Sequence, residues 1–124
     1  MTNYEAIAGT YHEAQKGLTN RFAGEKISAA TTLEASGETT LHSPVPGNQL
    51  TLFWIFLSSS QENTGEVLAT VKIGTETAYE TYLGNPGLFA HWEPILGAVN
   101  AKLILNLSGN QKVAVSYTYS EQAP

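Results

Sequence analysis

The stretch KLILNLSGNQKVAVSYTY, residues 102–119, decides the fold class. Leu103, Leu105 and Leu107 alternate with Lys102, Ile104 and Asn106, and Val113, Val115, Tyr117 and Tyr119 alternate with Lys112, Ala114, Ser116 and Thr118. A period of two sends successive side chains to opposite faces of an extended chain, so each run is a strand with one face turned to a core. Ser108-Gly109-Asn110 between them is a turn signal, and the two runs read as a tight hairpin.

The same punctuated pattern extends back to Ser28. Thr31-Thr32-Leu33 and Thr39-Thr40-Leu41 flank Ser36-Gly37 and read as a second hairpin, and further strands are expected at Val67 to Ile73, Glu76 to Leu83 and around Leu88 to Trp92. Pro44, Pro46, Gly47 and Asn48 break the chain before its most apolar run, LTLFWIFL at residues 50–57. Strict alternation there puts Leu50, Leu52, Trp54 and Phe56 on one face and Phe53, Ile55 and Leu57 on the other, so neither face suits water. Either a loop or the N-terminal segment covers the second face, or Phe53 and Ile55 meet a subunit partner.

About eight strands without interleaved helices predict an all-β protein, an antiparallel β-sandwich of two packed sheets, either jelly-roll-like or immunoglobulin-like; the strand count favours the jelly roll. The sandwich domain is placed at residues 28–124. Residues 1–27 differ, with Tyr4, Ile7, Tyr11, Leu18 and Phe22 spaced irregularly among Gly9, Gly17 and Gly24. Ile27 is counted with that irregular N-terminal set. Two readings stay open there: a short helix over Tyr4 to Gln15, or an extended arm that docks Tyr4, Tyr11 and Phe22 onto a neighbour.

A chain of 124 residues suffices for one core. It contains no cysteine, which removes disulfides, thiolate zinc sites and cysteine nucleophiles together. Its acidic excess is all glutamate; without a single aspartate, calcium loops and most paired-carboxylate sites are poorly served. Lys16, Arg21, Lys26, Lys72, Lys102 and Lys112 are scattered, whereas a nucleic-acid surface clusters its positive charge, so no nucleic-acid partner is expected. Met1-Thr2-Asn3-Tyr4-Glu5 has neither a basic start nor an apolar core of a leader, and no run is long enough to span a bilayer. The expectation is a soluble product made in a cytosol, with no membrane partner.

His12, His42 and His91 lie far apart and none has a second histidine at ligand spacing, so no metal or other cofactor is expected. His91 and Glu93 share a face if extended and could do acid–base work, but no nucleophile accompanies them. In the same segment Phe89 and Trp92 anchor either the core or a contact. Trp54, Trp92, Tyr79 and Tyr82 could form a sugar-stacking platform, the alternative being that they are core.

Pro46-Gly47-Asn48-Gln49-Leu50 opening an apolar strand, then Val67 to Gly74, the Gly84-Asn85-Pro86-Gly87 turn, Gly97 to Ser108, and the closing Val113 to Tyr119 strand resemble small β-sandwich structural proteins of tailed bacteriophages. The likeness covers roughly residues 44–120 and is compositional, carried mostly by GxxxNxxLxLNLS and VxVxYxY. What it implies is no enzyme but a virion protein synthesised in the host bacterial cytoplasm: a capsid decoration (cement) protein on the capsid surface, often a trimer, with the major capsid protein as partner. The contact residues this reading nominates are Tyr4, Tyr11, Phe22, Phe53, Ile55, Phe89 and Trp92. The alternative is a carbohydrate- or receptor-binding module of a phage tail or fibre.

Overall fold

The structure, a computed structural model, describes residues 25–60, 65–84 and 87–124. Tyr4, Tyr11 and Phe22, with the helix or arm expected around them, lie outside the described residues. Among the described residues nine strands run in order: β1 (Ile27–Leu33), β2 (Gly37–His42), β3 (Gln49–Ser59), β4 (Val67–Ile73), β5 (Glu76–Leu83), β6 (Gly87–His91), β7 (Ile95–Leu96), β8 (Leu103–Leu107) and β9 (Val113–Gln122). Among the described residues the first strand begins at Ile27, which the sequence reading sets with the N-terminal segment.

The pairings nest. β4 pairs with β5, β3 with β6, β2 with β8 and β1 with β9, all antiparallel, as successive rungs of one long ribbon. The ribbon rolls up because its two long arms also pair: β9 with β3, and β8 with β4. The result is two sheets ordered β1-β9-β3-β6 and β2-β8-β4-β5, with β7 adding two residues beside β3. This order is that of a jelly roll.

Neither expected hairpin forms. β1 and β2 lie in different sheets, and so do β8 and β9. Residues 34–36 and 108–112 instead carry the chain from one sheet to the other side by side, tied where Ser36 N donates to Asn110 Oδ1 at 2.8 Å. Glycine and serine marked the ends of these strands correctly, but a turn signal does not specify which strand a chain pairs with after it. The tight hairpin is β4–β5, whose two-residue link starts at Gly74, φ +67°.

Strict alternation also fails inside β3. Its register with β9 slips between Leu52 and Trp54, a β-bulge that reverses the parity of everything after it. Leu50 and Leu52 before the bulge, and Ile55 and Leu57 after it, all enter the core, while Phe53, Trp54 and Phe56 turn away. Ile55, expected beside Phe53 at an interface, is therefore a core residue at 1% exposure.

The core lies between the sheets. Leu103, Leu105 and Leu107 of β8 face Val113, Val115 and Tyr117 of β9, joined by Val71 and Ile73. Gly97 closes one end: its N–H donates to Leu50 O at 2.8 Å, and a Cβ there would collide with Ile73 Cγ2. Since β-branched Ile73 is stiff, Gly97→Ala should cost about 1–3 kcal/mol in urea unfolding. A cost near zero would show that Ile73 can give way.

Glu121, at the end of β9, ties the same end of the sandwich. Its carboxylate accepts from His42 Nε2 (2.7 Å), Val45 N (2.8 Å) and Asn48 Nδ2 (2.9 Å), while the His42 ring stacks on Tyr119 at 4.2 Å. One carboxylate thus joins β2, the loop at 43–48 and β9, and so joins both sheets.

Candidate functional site

The outward faces of the two sheets differ in charge. On β2-β8-β4-β5, the register places Glu38, Asn106, Thr70 and Glu80 in one row across the sheet. Lys72 Nζ donates to Glu38 at 3.0 Å and Thr70 Oγ1 to Glu80 at 3.2 Å, the pattern of a solvated surface.

The opposite outward face carries no charged strand residue. The register assigns to it Ser28, Ala30 and Thr32 from β1 and Ala114, Ser116, Thr118 and Ser120 from β9. From β3 come Thr51, Phe53, Trp54, Phe56 and Ser58, and from β6 Leu88 and Ala90, with Trp92 just beyond. The face has relief where it is open: Ala30, Thr32, Ala114 and Ser116 are small, while β3 and β6 raise a ridge of aromatics and leucine beside them; toward its other end Thr51, Thr118 and Ser120 are buried. Ser28 and Thr118 hydroxyls bond each other at 2.7 Å, which leaves them little need of water. Just before β1, Lys26 reaches over the margin with its ammonium 4.6 Å from the Phe53 ring centroid, a cation–π contact.

Trp54, Phe56, Ala90, Trp92 and Ser116 line a cleft of about 340 Å³ on this face. Trp92 and the neighbouring Leu88 are 72% and 73% exposed, large for side chains of this size on an uncharged surface. Both tryptophans of the chain flank this one cleft.

Of the nominated contact residues, Phe53 and Trp92 reach this face, and Ile55 does not. Phe89 is also redirected: opposite Leu57 in the register, it points inward, packs on the core and sits 6.0 Å from the Tyr79 ring. The four aromatics of the sugar-platform reading are split. Trp54 and Trp92 share the cleft, Tyr79 points between the sheets, and Tyr82 is exposed on the charged face.

His91 and Glu93 do not form a His–carboxylate pair. The His91 ring packs on Tyr79 with centroids 3.7 Å apart, and its Nδ1 accepts from the backbone N of Glu93 at 3.3 Å. Burial, and secondarily the Glu93 charge, push the Tyr79 hydroxyl up to about 12, and it donates to Glu93 O at 3.3 Å. Among the described residues no group of three or more His, Cys or Glu side chains is placed to hold a metal ion.

Sequence reasoning sets Trp54 and Phe56 on one side of their strand and groups Trp54 with Trp92, but it misses Leu88 and Ala90 and puts Leu50 and Leu52 on the side of Trp54. The available signal was the lack of charge at alternate positions of 28–32, 114–120 and 88–92, but only the pairing brings these segments together.

No protein-family model matches the chain, and no curated protein matches it. Solved structures do. A chain of the Bacillus endospore appendages, which form a family of disulfide-linked pili, superposes with TM-score 0.55 at 7% identity, over 81% of this chain and 88% of that one. PirA gives 0.49 at 14% identity over 73% and 92%, and a chain of the acid-stable capsid of Helicobacter pylori bacteriophage KHP30 gives 0.47 at 14% over 81% and 98%. At such identity the pilus match speaks to the fold alone.

Proposed function

We propose that this chain is a non-enzymatic structural protein of a phage virion, a capsid decoration (cement) protein that binds the outer face of the shell and stabilises it. One observation carries the reading: a jelly roll with one charged, solvated face and one uncharged, aromatic-ridged face. Interface centres are depleted of charge and enriched in aromatics, so the second face suits protein contact better than water. The resemblance over residues 44–120 supplies the virion setting, and packed sheets give a rigid platform for repeated weak contacts that add avidity on a shell.

Contact with the major capsid protein is assigned to the N-terminal segment with Tyr4, Tyr11 and Phe22. Deleting residues 1–22 should leave a folded domain, with unchanged circular dichroism, that no longer co-sediments with capsids. Undiminished co-sedimentation would remove the segment from the shell contact.

The reading as a whole is tested by quantitative mass spectrometry of gradient-purified particles. A copy number close to that of the major capsid protein is expected. A handful of copies would move the chain to the tail or portal, and absence would end the virion reading. The pair Trp54 and Trp92 at one cleft favours a second reading, a carbohydrate- or receptor-binding module of a tail or fibre. Glycan-array binding that Trp92→Ala abolishes would establish it; the lining side chains offer only the Ser116 hydroxyl and the two indole N–H groups as polar contacts and no carboxylate or amide, which favours the first.

A further inference from the structure

We infer that the cleft of the uncharged face takes the chain's own N-terminal segment, with Phe22 against Trp54 and Leu18 passing Phe56 and Trp92. The inference concerns the free chain and goes beyond the assembly reading. Where the segment meets a shell, shell and cleft compete for it.

The place where the segment joins the domain points to this occupant. Lys26 immediately precedes β1, and its side chain already lies on this face, with the ammonium over Phe53. β1 runs in the same direction as β3, since both pair antiparallel with β9. The chain that leads into Ile27 therefore enters near the Thr51 level, and a reversal there returns it along the face toward Trp54 and Phe56. Gly24 suits such a reversal, because glycine takes φ of either sign without steric cost.

Reach and size agree. Counted in residue rises and strand spacings, the middle of the cleft is roughly 14 Å from Lys26. With a turn at Gly24, Phe22 comes to the near edge at Trp54, and Leu18, about 13 Å farther along an extended chain, reaches Phe56 and Trp92. The face is buried at Thr51, Thr118 and Ser120, and its open part falls short of the roughly 1,000 Å² of a specific interface that stands by itself. A tethered segment needs far less, because a short linker holds it at an effective concentration near the millimolar range. Burial of one phenylalanine side chain then favours the covered form about tenfold or more. The occupant also matches the lining, which is mostly apolar and carries no charged side chain.

Both tryptophans of the chain flank this cleft, so tryptophan emission reads it alone. In the full-length protein, emission should be blue-shifted and shielded from acrylamide. Phe22→Ser should lower the ratio of covered to open form about tenfold, seen as a red shift and stronger quenching with unchanged far-UV circular dichroism. A second measurement removes no apolar side chain. The absence of cysteine lets a nitroxide be placed at Thr19→Cys alone. Its spin should broaden the amide signals of Ala90 and Ser116 within one chain. It should not do so when a spin-labelled chain is mixed with an isotope-enriched chain that carries no label. Equal emission and quenching in the wild-type and Phe22→Ser proteins, no broadening at Ala90 and Ser116, or broadening across the mixture, which would put another copy's segment in the cleft, would each overturn the inference. None of these readouts uses particles, so the virion reading stands or falls separately on copy number.

Discussion

Ile55→Ala is expected to lower stability by about 2–5 kcal/mol, whereas Phe53→Ala, two residues away in the same strand, should cost about 1 kcal/mol or less. Ile55 is 1% exposed among Leu50, Leu52 and Leu57, so truncation leaves a cavity that the two sheets cannot close. Phe53 is half-buried on the outward face, where its ring meets the Lys26 ammonium and makes no part of the core cluster. For a domain of this size the Ile55 change corresponds to a fall in Tm of roughly 8–15 °C. Strict alternation would put both residues on one face and give them comparable effects. Thermal and urea unfolding of the two variants therefore measure the bulge itself: equal costs would mean that the register slip between Leu52 and Trp54 is wrong.

Glu121→Gln should cost about 1.5–3 kcal/mol at pH 7, and less as the solution is acidified. Three donors converge on the carboxylate, and a glutamine turns an amide NH₂ toward at least one of them. The hydrogen bond from His42 is the main reason that Glu121 ionises below its ordinary value of 4.5; bonds from Asn48 and Val45 act the same way, and burial opposes them. With the folded pKa lowered, the unfolded chain takes up the proton first on acidification. The stabilisation is thus present above the ordinary carboxylate range and is lost as pH falls through the folded value. Urea unfolding of both proteins from pH 7 to pH 3 should show the gap narrowing toward the acid end. A gap that stays constant would mean that the carboxylate's charge contributes nothing and that only its shape is needed.

Much of the architecture was legible in the residues. β4 and β5 coincide with the runs read from alternation, and β8 and β9 differ from theirs only at the ends. The breaks at Pro44 to Asn48 and at Ser108 to Asn110 lie between strands, as their composition requires. The candidate site was less legible. Trp92 was visible as a large aromatic beside a turn, but nothing local relates it to Trp54, 38 positions earlier, or to Ser116 on a third strand.

What the amino-acid sequence determined by itself is therefore the class of structure and the position of each strand, because the parity of side chains along an extended chain is a local property. Only the tertiary structure decided the partners of each strand, since β1 and β2, like β8 and β9, gain more from closing two sheets over a shared core than from pairing with each other. It also decided which side of LTLFWIFL is buried: a one-residue bulge exists only against the strand it slips on, and β9 supplies that strand. The uncharged face follows from the same pairing. Small residues from the two ends of the chain and aromatics from its middle form a single surface once burial of Leu50, Leu52, Ile55 and Leu57 fixes the register.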